Sequence, residues 1–333
     1  MRATRSSLRA LVIGTSLCAA AGTLQTAVAD QGIAGSVSAV LEPAWMSPAA
    51  EHSASDFEAL LYTSFAEQDD VRILHLLEIS GVGHALEIMP AAMTDAFAHA
   101  LEIEDDHALD ARQQRELLEV VEAAFADVID GKLLERAVHD NLDRAEQLDM
   151  IAFYESKFGQ RVVALEHQRQ QQPQDDYDTW LRQNPLSAMD DQRQRALMDL
   201  ERSSHASQNV FEATLAIQLA LKIGRLQSEG GDAVRIDART LMEEVRRDML
   251  FLHGFFEREA LAWLAWLYRD LETEELSLLS AAYESSAGRA WIDTLGSSFG
   301  ELQFRAGRRI GAWMGALSGQ QEEVASRKEH VTI

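Results

Sequence analysis

The sequence predicts an all-α protein built as two tandem helical-bundle repeats of antiparallel helices behind a cleaved signal peptide. Three observations carry this expectation. Apolar residues recur at helical spacing nearly throughout, as in Phe57, Leu60, Leu61 and Phe65, in Val71, Leu74 and Leu77, and in Leu117, Leu118, Val121 and Phe125, while no long stretch alternates with a strand's period. The chain holds 5 prolines, the last at Pro185, so its C-terminal part carries no proline breaker. A segment from Leu142 to Gly159 recurs without gaps from Leu271 to Gly288, at a constant offset of 129 residues, which points to an internal duplication.

Residues 1–29 open with Arg2, Arg5 and Arg9, continue through an apolar stretch from Ala10 to Gly22, and end on the small residues Ala27 and Ala29. That is the order of a secretory signal, with cleavage expected before Asp30 and the periplasm as destination. A lipoprotein signal fits less well, because Leu17 precedes Cys18 where a small residue would be expected. Cleavage removes three arginines and no acid, which takes the formal charge of -24 to -27. So anionic a chain disfavours nucleic acid and anionic lipid surfaces and favours basic partners or cations. Cys18 is the only cysteine and leaves with the signal, so a disulfide, a thiolate metal site and a cysteine nucleophile are all excluded from the mature chain. Residues 30–55, rich in Gly, Ser, Ala and Pro, form an expected flexible lead-in. No later stretch approaches 18 uninterrupted apolar residues, so no transmembrane segment is expected after signal removal.

The first helical repeat is expected over 56–168, with helix breaks at Gly81 and Gly83 and at Asp130-Gly131. Its densest group of potential metal ligands is Glu102, Glu104, Asp105, Asp106, His107 and Asp110. Glu104 and His107 have the spacing used in carboxylate di-metal bundles, but a second such motif on a facing helix is missing. The stretch therefore reads as a polar turn whose acids cap the helix at Asp110. Residues 169–186, glutamine rich and holding Pro173 and Pro185, read as a linker, with Trp180 and Leu181 docking part of it onto a neighbour. The second repeat is expected over 187–318 with a break at Gly230-Gly231-Asp232, and a polar tail over 319–333. Within it, Phe251, Phe255, Phe256, Trp263 and Trp266 crowd together, and from Ala260 to Tyr268 every residue is apolar or aromatic, which makes a helix hydrophobic on all sides. Such a helix is either buried or covered by a partner or ligand.

In the duplicated element Asp143 and Thr273 are candidate helix caps, and Tyr154, Glu155, Ser156 and Gly159 recur as Tyr283, Glu284, Ser285 and Gly288. Each serine is placed to cap the following helix. Each glycine, three residues on, would sit in the first turn, where its missing side chain lets another group approach closely. A hydroxyl, a carboxylate and a second hydroxyl within one turn also suggest chemistry. Neighbouring helical side chains fan outward, however, and neither copy has a nearby histidine or lysine to activate the serine. The element is expected to be a structural corner, with no catalytic residue.

The run from Met150 to Val163 resembles the signature of the exported bacterial family catalogued as domain of unknown function two-zero-five-nine. Phe153, Tyr154, Ser156, Gly159 and Arg161 match that signature, Lys157 stands where proline is common, and the stretch from Leu76 to Met89 is also similar. The second copy departs further, with Ala282 for the phenylalanine and Ala290 for Arg161. The resemblance covers about 69–167 well and 204–309 loosely. It implies an α-helical exported protein and no assigned activity.

The chain contains no HExxH and no glycine-rich phosphate loop. The pairs His253/Glu257 and Glu135/His139, each four apart, can share a helix face as ordinary surface pairs. The expected function is a non-enzymatic interaction or scaffold module whose partner is another periplasmic protein or a second copy of itself, with no cofactor. The alternative is a carrier for a small apolar or lipidic molecule held between helices of the C-terminal half, with the aromatics around Trp263 as its lining. A third is a metal-dependent hydrolase using the Glu104 to Asp110 region.

Overall fold

The structure, a computed structural model, describes residues 70–103, 109–129, 131–170, 172, 174–230 and 237–331. The expected signal peptide, the lead-in, Glu104 and His107 lie outside the described residues. Thirteen α-helices, and no strand, are present among the described residues. They are α1 (70–79), α2 (Val82–Ile103), α3 (Ala111–Val128), α4 (Gly131–Asn141), α5 (Arg144–Glu155), α6 (Lys157–Gln170) and α7 (Gln174–Gln183). After a short 3-10 turn at Leu186–Ala188 come α8 (Asp191–Ser204), α9 (Ala206–Gly230), α10 (Ala238–Met249), α11 (His253–Leu267), α12 (Thr273–Glu284) and α13 (Ser286–Val331).

Side-chain caps set several of the starts. Asp110 accepts from the amides of Arg112 and Gln113, Asp190 from Gln192 and Arg193, and Asp237 from Arg239 and Thr240, each taking up donors that the first turn leaves unpaired. Asp143 caps α5 through the Glu146 amide, while the Glu146 carboxylate accepts from the Asp143 amide. In the second copy the cap is Glu272 and not the expected Thr273, which is already the first helical residue. Glu272 occupies the position 129 residues beyond Asp143, and its amide donates to Glu275 at 2.9 Å. The breaks at Gly81, Gly131 and Gly230 all fall at helix ends; only Gly81 needs glycine's freedom, at φ 89°.

The spine is α13, 46 residues and about 69 Å at 1.5 Å per residue. It packs along α9 and also touches α3, α4, α5 and α12. The α9–α13 approach is close enough to require glycine: a Cβ at Gly224 would sit 2.7 Å from the Ala312 amide nitrogen, and one at Gly311 2.8 Å from the Leu221 Cα. One core joins both halves of the chain, running from Ile73 and Phe125 through Tyr154 to Trp266, Trp291 and Ile310. A second, smaller core lies between α9, α10 and the start of α11, around Phe211, Leu215, Val245 and Phe256.

Two expectations change at this level. On α1 the helical period holds, and the core takes Ile73, Leu76 and Leu77 while Val71 and Leu74 face outward; Arg72 and His75 bond to Gln147 and Glu155 of α5. The stretch expected to be a linker contains α7, held by Tyr177, whose ring lies 5.6 Å from Trp263 and 5.5 Å from Trp266.

Candidate functional site

The corners around Ser156 and Ser285 meet across the two halves of the chain. In each, the serine ends one helix with extended backbone and caps the next. Ser156 Oγ donates to the Phe153 carbonyl at 2.6 Å and accepts from the Gly159 amide at 3.0 Å; Ser285 Oγ donates to Ala282 at 2.7 Å and accepts from Gly288 at 2.9 Å. Cβ atoms at Gly159 and Gly288 would lie 2.9 and 2.7 Å from the Cα atoms of Tyr154 and Tyr283. Both serine hydroxyls are thus engaged with the backbone. Glu155 pairs with His75 at 2.9 Å on the surface, and the Glu284 carbonyl accepts from Arg289 at 2.6 Å. Across the junction Trp291 Nε1 donates to the Tyr154 hydroxyl at 3.0 Å, Ser286 Oγ donates to Glu146 at 3.0 Å, and Arg161 binds Glu275.

Behind these corners lies a buried polar cluster that sequence reading missed. Glu166, 0% exposed, accepts from the hydroxyl of Tyr268, and the hydroxyls of Tyr154 and Tyr283 lie beside it. The Tyr283 hydroxyl sits among those of Tyr154 and Tyr268 and makes no hydrogen bond of good geometry with either. Burial first and the Glu166 carboxylate second push the Tyr154 and Tyr268 hydroxyls well above the ordinary tyrosine range. Tyr283 moves the same way through burial, then Tyr154 and Glu166. All three stay protonated at neutral pH, so they can donate hydrogen bonds but do not act as bases.

Tyr268 is placed by three arginines gathered on the chain that leaves α11. Arg193 donates to the carbonyls of Tyr268 at 3.0 Å and Leu271 at 2.7 Å, Arg161 donates to the Asp270 carbonyl at 2.8 Å, and Arg169 binds the Asp270 carboxylate.

On the other side of Tyr268 and Tyr283 a pocket of about 60 Å³ opens between α8, α9, α11, α12 and α13. Its mouth is half-buried Ser204, Ala206, Asn209 and Gly296. Its floor is buried and mostly apolar, with Trp263, Tyr268, Tyr283 and Phe299 as aromatic wall and Leu264, Ile292 and Leu295 between them. At the mouth His205 turns from α8 into α9 with a left-handed backbone, φ 52°, which is costly for a residue with a Cβ. Its imidazole lies 3.6 Å from Asp293.

Of the aromatic residues singled out in the sequence, Phe256 at 0% and Trp266 at 1% exposure are enclosed by the chain itself, and Phe255 is half buried. Trp263 lines the pocket, and the Phe251 side chain lies outside the described residues. The helix that is apolar on all sides is covered by α7, α8 and α9. Among the described residues no group of three or more His, Cys, Asp or Glu is arranged to hold a metal. His253 lies 3.5 Å from Glu257 on the surface, whereas His139 lies 3.0 Å from Asp140, its chain neighbour. No helix of the described residues is long and apolar enough to cross a membrane. No protein-family model, no curated protein and no solved structure matches the chain.

Proposed function

We propose that this protein is a non-enzymatic binding module that holds one end of a small molecule in a mostly apolar pocket between helices of its C-terminal half. The supporting observation is the pocket: an apolar, aromatic-walled floor with few polar groups at its mouth has the make-up of small-molecule sites. Its size restricts the occupant. An engineered apolar cavity that takes up benzene measures roughly 150 Å³. A 60 Å³ pocket therefore encloses the end of a molecule and leaves the remainder in the mouth. The corner serines, both committed to capping, and the tyrosines, held protonated, offer no activated nucleophile beside it.

Native mass spectrometry of the protein, purified gently from its own host, tests this reading. The expected result is a small added mass that disappears in Ala213→Phe, which fills the pocket from α9, and in Ala260→Leu, which fills it from α11. Bare protein from the host, or an added mass that both filled variants retain, would overturn it.

A surface for another protein is a second reading, favoured by one observation. Alongside α5, helix α1 leaves Val71 (67% exposed) and Leu74 uncovered, and α5 leaves Leu148 uncovered. Export to the periplasm is part of the proposal, supported by the order of residues 1–29. So is kinship with domain of unknown function two-zero-five-nine, supported by Phe153, Tyr154, Ser156, Gly159 and Arg161.

A further inference from the structure

We infer that the group held in the pocket is a quaternary ammonium head, an inference that rests on the small-molecule reading above and names its ligand class. Four of the lining side chains, Trp263, Tyr268, Tyr283 and Phe299, are aromatic, and no lysine, arginine or histidine lines the pocket. Aromatic faces carry negative potential and attract a cation, most strongly where water is excluded. Carboxylates stand on both sides: Glu166 accepts from the Tyr268 hydroxyl behind the wall, and Asp293 precedes the mouth residue Gly296 by one helical turn. The nearest basic groups face elsewhere. Arg193 binds the backbone carbonyls of Tyr268 and Leu271, and His205 lies against Asp293. The aromatic cluster already receives one cation, for the Arg269 guanidinium sits 5.9 Å from the centre of the Trp266 ring, which in turn lies 4.9 Å from Trp263.

The absence of N–H groups on a quaternary ammonium decides between this and a primary amine. A buried ammonium with three donors needs acceptors. The floor is mostly apolar, and the one hydroxyl on it with a good hydrogen bond, that of Tyr268, is a donor engaged with Glu166. A head that carries only methyl groups leaves no donor unmatched there, and its charge is met by the aromatic rings. The net charge of -24 adds a long-range field that draws cations to the protein.

Isothermal titration of the full chain with choline and with its neutral carbon isostere, 3,3-dimethylbutan-1-ol, tests the inference directly. Choline is expected to bind about tenfold more tightly, the size of a desolvated cation–aromatic contact. Trp263→Leu is expected to weaken choline more than the isostere and so remove most of that preference; Phe299→Leu serves the same purpose if the first variant does not fold. Equal binding of the two compounds would overturn the ammonium assignment and leave the small-molecule reading standing. Binding of neither would also overturn it, and the native mass measurement then decides the broader reading separately. Co-sedimentation with phosphatidylcholine vesicles that choline competes away would assign the head to a lipid. Choline binding without vesicle binding would assign it to a free small molecule.

Discussion

Gly288→Ala is expected to destabilise the fold by about 2 kcal/mol although alanine is the better helix former. The added Cβ would lie 2.7 Å from the Tyr283 Cα and 2.9 Å from its carbonyl carbon, both backbone atoms of the preceding helix that no rotamer change can move. Forcing a methyl group into such a contact costs about 1–3 kcal/mol, here toward the upper end because only a shift of α12 against α13 relieves it. Alanine's helix preference returns roughly 1 kcal/mol. Gly300→Ala supplies the control. It sits in the interior of the same helix with no atom within 4 Å of its Cβ, so it keeps the gain and is expected to stabilise by roughly 1 kcal/mol. The same chemical change, twelve positions apart, has opposite signs. Urea unfolding followed by helical circular dichroism reads both, provided the slopes match wild type. A Gly288→Ala protein as stable as wild type, or a Gly300→Ala protein weakened to the same degree, would refute the close-approach account of the corner.

Two further outcomes follow from buried polar groups. Gln303 is 0% exposed, and its amide has no hydrogen-bond partner among the described residues, so Gln303→Met is expected to raise stability by about 1–3 kcal/mol in the same urea experiment; a loss would show that the amide is satisfied. His167, buried and 4.9 Å from the ring of His84, has its pKa lowered by burial first and by His84 second. The unfolded chain therefore takes up a proton near the ordinary value of about 6.5 while the folded chain does not. The contribution of His167 is full above that value and declines as pH falls through it toward the lower folded pKa. Stability measured from pH 7.5 down to 5 is expected to fall, and His167→Gln to flatten the decline; an unchanged slope in the variant would remove His167 as its source.

The corner was legible because every bond that makes it is local. Ser156, Phe153 and Gly159 lie within seven consecutive residues, so residue type and spacing nearly specify the geometry, and the same holds at Ser285. The second cap was misplaced by one residue because threonine is the more usual capping side chain. Only the 129-residue register, in which Glu272 follows Asp143, points to the right position. On α1 the apolar residues are frequent enough to support two phases, and the structure packs Ile73, Leu76 and Leu77 into the core.

Composition and period determined by themselves that this chain is helical and that its two halves share a corner, since both depend on residue identity or on neighbours within a turn or two. The polar cluster and the pocket could not be read that way. Glu166 meets Tyr268 across 102 residues and Trp291 meets Tyr154 across 137, and neither pair has a spacing that local geometry can specify. The aromatic helix shows the division most plainly: its sequence required that every face be covered, and only the packing of α7, α8 and α9 decided that most of that cover would come from the chain itself, with one opening left beside Trp263.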